Sequence, residues 1–382
     1  MIEHVAFVTG TRAEYGLLRP IIDAARATPV RVSLVVTGAH LSSAHGQTVR
    51  EIEADGIPIA ARVPILGVDD GPAETARSIG RGVIGCTDAF ETLDPDLVLL
   101  LGDRSETLAA AIAAVATNRW LAHVHGGDRT RGGLDESYRH AITKLAHVHF
   151  AATTRSAERL VRMGEDPGSV HVVGAPGLDA IRTLERWGGS EIERRLGFPL
   201  PDRFALLIQH SISIDPDAAD QQMRATLDAL ARTGLPVIAS APNSDPGGRR
   251  VRAVLEAATR GSRLRLFDNL DHALFLNLLA RATVLVGNSS CGIIEAASFG
   301  VPVVDIGERQ AGRERAGNVI TVDHEEGAIA AALDRALHDE EFRRVARTVV
   351  NPYGDGRAAP RIVEQIARLS GETLTRQKQI AY

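Results

Sequence analysis

Between His123 and Phe150 the chain reads HVHGGDRTRGGLDESYRHAITKLAHVHF, which puts five histidines, three acids and four glycines in one short window. The acids are Asp128, Asp135 and Glu136, and a further one, Asp103, lies upstream in GDRSE. Imidazole and carboxylate side chains are the groups best suited to moving protons near neutral pH. His125, Asp103 and Asp135 are therefore the first candidates for acid–base work. Read alone, each acid could equally cap a helix. The density of titratable groups at one place favours a site. The window lacks H-E-x-x-H, and no metal is expected there.

Two other stretches could hold an anion. GTRAEYG (residues 10–16) follows an apolar run and opens a helix, so Gly10 permits a tight turn and Arg12 could pair with the anion. GNSSCGIIEAASFG (residues 287–300) has the same strand–loop–helix form. There Asn288, Ser289, Ser290 and Gly292 would form a phosphate cradle, and Glu295 could accept from two ribose hydroxyls. Neither stretch is G-x-G-x-x-G or a Walker loop, so nicotinamide and ATP chemistry lose weight.

These stretches need elements to position them, and the chain supplies strands alternating with helices. Expected strands are His4–Thr9, Val32–Thr37, Asp96–Leu101, Trp120–Val124, Val148–Ala152, Val170–Val173, Phe204–Gln209, Pro236–Ala239, Leu264–Phe267, Thr283–Gly287 and Val301–Ile306. DLVLLL at 96–101 is apolar throughout, as in a strand buried on both faces. Helical spacing recurs at Leu17–Ala25, Ser78–Leu93, Leu108–Thr117, Tyr138–Ala146, Ile293–Phe299 and Arg361–Leu369. Such alternation predicts parallel βαβ units and an α/β fold of two Rossmann-like doubly wound domains with a cleft between them. Patterning is weakest over Arg182–Leu200, where a linker is expected. The domains are then 1–182, 183–358 and a last amphipathic helix within 359–382.

Composition narrows the function classes. The chain has 382 residues, is 44% hydrophobic and carries a formal net charge of −5. That charge is too mild to point to nucleic acid or an anionic membrane. Two cysteines support no disulfide framework and fit a reducing cytoplasm. The N-terminus lacks the pattern of a signal peptide, and no apolar run is long enough to span a bilayer.

Taken together and in order, GTRAEYG, VTGAHLS, GDRSE, HVHGGD, GGLDESYRHAITKLAHVHF, PNSDPGG, GNSSCGIIEAASFGVP and DIGERQAGRERAGN resemble the hydrolysing UDP-N-acetylglucosamine 2-epimerases. The resemblance covers residues 4–320. It implies a glycosyltransferase B fold, no cofactor, a UDP-linked 2-acetamido sugar as substrate, and a homodimer or homotetramer. By motif position it implies that Asp103 and Asp135 are catalytic acids. Arg12, His210, Ser289 and Ser290 match diphosphate contacts, Glu295 a ribose contact, and Arg309 and Arg313 a second arginine motif. Glu106, Asp128, Glu136, Arg139 and His140 are expected in supporting roles.

Two departures bear on the substrate. Where the sialic-acid branch has H-x-E-G-G-E, this chain has His123-Val124-His125-Gly126-Gly127-Asp128, which puts a histidine at a catalytic glutamate position. The branch acting on N,N′-diacetylbacillosamine is similar to this histidine version. The family also usually has His-Pro where this chain has His210-Ser211. The expected activity is hydrolysing epimerisation of UDP-N-acetylglucosamine to N-acetylmannosamine and UDP. The same chemistry on UDP-N,N′-diacetylbacillosamine, a non-hydrolysing epimerase, a glycosyltransferase of the same fold and a nucleotide-sugar sensor are the alternatives.

Overall fold

The computed structural model describes the chain except residues 44–45, 68–70, 131–133, 213–214, 244, 261–262, 269, 371–373, 375–376 and 382. The glycine pair Gly132–Gly133 and Ser213 lie outside the described residues. The chain forms two compact units: Met1–Asp128 with Leu134–Ala180 and Tyr353–Tyr382, and Arg129–Gly133 with Ile181–Pro352.

In the first unit, strands β1 (His4–Thr9), β2 (Arg31–Thr37), β3 (Ile59–Val63), β4 (Leu97–Leu101), β5 (Trp120–Val124), β6 (Val148–Ala151) and β7 (Val170–Val172) form one sheet. Their order is β3-β2-β1-β4-β5-β6-β7, and every pair is parallel. Side chains alternate across a strand, so β1 splits its residues between two cores. Val5 and Phe7 join Leu18, Ile22 and Ile362 on one face, and Ala6 and Val8 join Phe90, Ala110 and Ile142 on the other. Burial on both faces is why β4 could be read directly from its unbroken apolar run. The last helix, Ala358–Arg368, belongs to this unit. Its first N–H groups, at Ala358 and Ala359, donate to the two oxygens of Asp179, each at 2.9 Å.

The second unit repeats the plan with β8 (Ala205–Ile208), β9 (Val237–Ser240), β10 (Leu264–Phe267), β11 (Val284–Gly287), β12 (Val303–Ile306) and β13 (Val319–Val322). The order β10-β9-β8-β11-β12-β13 is again all parallel. Both sheets are doubly wound α/β sheets of the Rossmann kind.

Several elements differ from the sequence expectation. β3 (IAARV) and β13 (VITV) are edge strands with half-exposed residues, so neither shows a buried-strand signature. Helix Thr154–Arg162 buries only Ser156 and Leu160, too few to mark a periodic face. Helix Gly189–Leu196 falls inside the expected linker. The helix expected from Tyr138 begins at Asp135, and the one expected from Leu17 begins at Arg12. Among the described residues no helix is long and apolar enough to cross a membrane.

Candidate active site

In each sheet the connections diverge at one place, between β1 and β4 in the first unit and between β8 and β11 in the second. Loops leave such switch points in opposite directions and open a crevice at the carboxyl ends of the strands. The motif residues lie there: Gly10–Arg12 after β1, Gly102–Glu106 after β4, His125 after β5, His210 after β8 and Asn288–Ser290 after β11.

His123, inside β5, is fully buried and donates from Nε2 to the Gly102 carbonyl at 2.7 Å. Burial pushes its pKa down to about 3, so it is a neutral strut between the turns after β4 and β5. His125 takes a left-handed backbone, φ 67°, which non-glycine residues rarely adopt. Its Nδ1 lies 3.1 Å from Asp128 Oδ2. The second Asp128 oxygen accepts from the Ser156 hydroxyl at 2.9 Å. A neutral imidazole that donates from Nδ1 to a carboxylate presents an unprotonated Nε2, the form a general base needs.

Arg139 ties the same rim together. It is 1% exposed, and one amino group pairs with Asp103. The other donates to Glu136 and, at 2.9 Å, to the Asp128 carbonyl. Burial alone would lower its pKa, but Asp103, Asp128 and Glu136 together hold it above the ordinary value. Asp135 opens the helix Asp135–Leu145, where the helix dipole favours a carboxylate. His140 is half exposed and lies 3.3 Å from Glu136. Asp103, His125, Asp128, Glu136 and Arg139 are thus one connected network.

Glu106 sits instead beneath the turn after β1. A Cβ on Gly10 would come within 2.3 Å of Glu106 Cγ, so only glycine fits there. Gly10 N–H donates to Glu14 at 2.8 Å, and Arg104 Nε to Glu106 at 3.0 Å. Burial and then the Glu106 charge push Glu14 up to about 8. Arg12 bonds Glu51 at 2.9 Å.

On the second unit, Asn243 N–H donates to His210 Nδ1 at 3.1 Å. A neutral ring then carries its proton on Nε2. Asn288, fully buried, clamps the same residue with Oδ1 to His210 N (2.8 Å) and Nδ2 to His210 O (2.9 Å). Gln310 Nε2 holds the Asn288 carbonyl at 2.9 Å, and Arg309 lies 3.6 Å from Asp245. Ser289 is the N-cap of helix Ser290–Ile294, and its side chain makes no capping bond. Arg313 N–H bonds the Gln310 carbonyl at 3.3 Å, so both arginines share one turn. Gly292 faces the sheet: a Cβ there would be 3.0 Å from Val303. Glu295, buried at 6% exposure, ends the helix.

Sequence reasoning missed Glu14, Ser156, Asn243 and Gln310. Asn243 and Gln310 lie inside PNSDPGG and ERQAGR, so the motifs were visible while the individual roles were not.

A family model described as UDP-N-acetylglucosamine 2-epimerase matches residues 23–367. The chain is 41% identical to a UDP-N,N′-diacetylbacillosamine 2-epimerase (hydrolyzing) from Legionella pneumophila, over 94% of each chain. It is 30% identical to a UDP-N-acetylglucosamine 2-epimerase from Neisseria meningitidis, over 89% of each. A solved UDP-GlcNAc 2-epimerase from Neisseria meningitidis bound to UDP-GlcNAc has a TM-score of 0.82 at 20% identity, covering 96% of this chain and 100% of that one. The structural likeness carries the fold, the two Rossmann-like domains of glycosyltransferase B. With that fold, with coupled acids and histidines at one switch point and a clamped histidine and serines at the other, and with the family match spanning both, the chain belongs to the UDP-N-acetylglucosamine 2-epimerase family.

Proposed function

We propose that this protein is a hydrolysing 2-epimerase of a UDP-linked 2-acetamido sugar, and that the sugar is N,N′-diacetylbacillosamine. The observation that carries the substrate is the 41% identity to the Legionella pneumophila enzyme against 30% to the Neisseria meningitidis UDP-N-acetylglucosamine enzyme. His125 in place of a glutamate supports the same choice. UDP-N-acetylglucosamine is the second reading, favoured by the name of the matching family model.

The chemistry divides in two. A base removes the proton on C2, the C2–H electrons form a C1=C2 double bond, and the C1–O bond breaks to release UDP and a glycal. Water then adds its oxygen to C1, and a proton is delivered to the opposite face of C2, freeing the 2-epimer. The C2 proton is weakly acidic, so the leaving diphosphate must be stabilised as its charge grows. On the second unit His210 Nε2–H, Ser289, Ser290, Arg309 and Arg313 are the proposed donors to it, and Glu295 the acceptor for ribose. On the first unit Asp103, His125 and Asp135 are the proposed proton carriers, with Asp128 and Arg139 orienting them.

Proton NMR in deuterated water, with each UDP-sugar offered separately, tests this. Free 2-epimerised diacetamido sugar with deuterium at C2, together with UDP, is the expected product. Faster turnover of UDP-N-acetylglucosamine would overturn the substrate assignment and leave the chemistry standing. An epimerised sugar still attached to UDP would overturn hydrolysis.

A further inference from the structure

His123 and His149 are register partners on the parallel strands β5 and β6, so both rings stand on one face of the sheet with their Cα atoms about 4.8 Å apart. Helix Asp135–Leu145 packs against β5 and brings Thr143 to the same place. All three residues are 0% exposed.

Each is only half satisfied. His123 spends its Nε2–H on the Gly102 carbonyl. His149 Nε2 lies 2.9 Å from Glu165, which also accepts from Lys144 at 2.7 Å and pairs with Lys378. Burial works against charge on Glu165, but His149, Lys144 and Lys378 hold it down to about 2, so it is a carboxylate and His149 donates to it. Burial lowers the pKa of both histidines, so both rings are neutral and each Nδ1 carries a lone pair in place of a proton. Among the described residues neither Nδ1 has a hydrogen-bond partner. Nor has the Thr143 hydroxyl, which passes over the carbonyl one turn back that a helical threonine commonly takes. Buried polar groups are ordinarily satisfied, so three together call for an explanation.

Gly126, of the HVHGGD motif, shows where these atoms point. Unlike Gly127, with φ 74°, it has no left-handed backbone to require glycine. A Cβ there would stand 3.0 Å from His123 Nδ1 and 3.4 Å from Thr143 Oγ1, and so would crowd the ground between imidazole and hydroxyl. The proton count then singles out an occupant. Two buried acceptors need two donors, and a single hydroxyl is at hand. A water molecule gives two protons and accepts one, which meets two imidazole lone pairs and one threonine O–H with nothing left over. Three hydrogen bonds are what a buried water typically makes.

We propose that His123, Thr143 and His149 form the binding site of one internal water, and that Thr143 and His149 act through it as positioning residues for the reaction. The water joins three elements. His123 leads to the turn that bears Asp103, Thr143 lies on the helix that bears Asp135 and Arg139, and His149 leads to Glu165. Arg139 stands one turn before Thr143, so the water is a second fastening beneath the Arg139 network. The positioning role rests on reading Asp103 and Asp135 as proton carriers; the water site does not.

A crystal structure of the full chain, at a resolution that shows ordered solvent, tests the site. One solvent peak within about 3 Å of all three atoms is expected. No such peak, or a Thr143 hydroxyl bonded directly to either ring, would overturn it. NMR of the imidazole nitrogens should show both rings as Nε2–H, and a proton on either Nδ1 would overturn it as well. Two substitutions of Thr143 then separate chemistry from shape. Thr143→Ser keeps the hydroxyl and should retain most of kcat. Thr143→Val keeps the shape without the donor and should lower kcat about tenfold or more at an unchanged UDP dissociation constant. A purely packing role predicts the reverse order, and that order would overturn the positioning role. A wild type inactive on every UDP-sugar would instead fail the proposed function, with the crystallographic and NMR tests of the water still decisive.

Discussion

The two switch points share one topology and carry opposite chemistry. At the first, between β1 and β4, acids and histidines are paired with one another through a buried arginine. At the second, between β8 and β11, His210 is held by the Asn288 amide and by the Asn243 backbone N–H, which fixes the tautomer of its neutral ring. A rim of coupled titratable groups can exchange protons, because small shifts in one alter the next. A rim of preset neutral donors and nearby arginines suits a diphosphate, whose charge it can meet without first reorganising. One fold, used twice, thus yields the proposed proton-handling end and the proposed anion-handling end according to which side chains follow the strands.

The sharpest way to break this comparison is Asp135→Asn. It is expected to lower turnover by about 10²–10⁴-fold, the range for loss of a positioned acid or base, with the UDP dissociation constant unchanged. Steady-state kinetics beside calorimetric UDP titration would check it. Equal losses in both would move Asp135 out of the proton-handling end.

Arg139→Met attacks the pairing itself. Removing a buried cation from three acids should destabilise the fold by about 3–5 kcal/mol, read from urea denaturation. A loss below about 1 kcal/mol, the level of a surface pair, would show that the network does not bind the first rim together.

Glu295→Ala probes the other end. UDP should bind more weakly by about 1–3 kcal/mol, the cost of losing one partner of a buried hydrogen-bonded pair. Unaltered calorimetric affinity would remove Glu295 from the anion-handling end.

The smallest effect concerns pH. Glu14 has an ordinary value of 4.5 and is raised to about 8 in the folded chain, so the folded state holds a proton that the unfolded state releases. Its contribution to stability is complete below pH 4.5 and is lost as pH rises toward 8. Thermal denaturation should show the wild type losing stability relative to Glu14→Gln across that window. Parallel curves for the two proteins would mean that Glu14 does not hold a proton in the fold.

Some of this was legible from local pattern. β5 and β10 fall where the apolar runs place them, and the glycine-containing loops mark the strand ends that carry the site. The exposed edges β3 and β13 escaped, since an edge strand need not be apolar on either face. The clustered histidines were visible, but their division of labour was not. His123 and His125 are two residues apart in one strand and its exit, yet one is a buried strut and the other faces Asp128. A left-handed backbone at His125 separates them, and no local periodicity encodes it.

The amino-acid sequence by itself determined the alternation of strands and helices, the doubly wound class and the positions of the motif loops, because these depend on periodicity and on what glycine permits at a turn. Only the tertiary structure decided the partners: Asp103 with Arg139, Glu14 beneath Gly10 beside Glu106, His210 between Asn243 and Asn288. Those pairings join residues as far as 78 positions apart, and the charge state of each group follows from its burial and its neighbours, which exist only once the chain has packed.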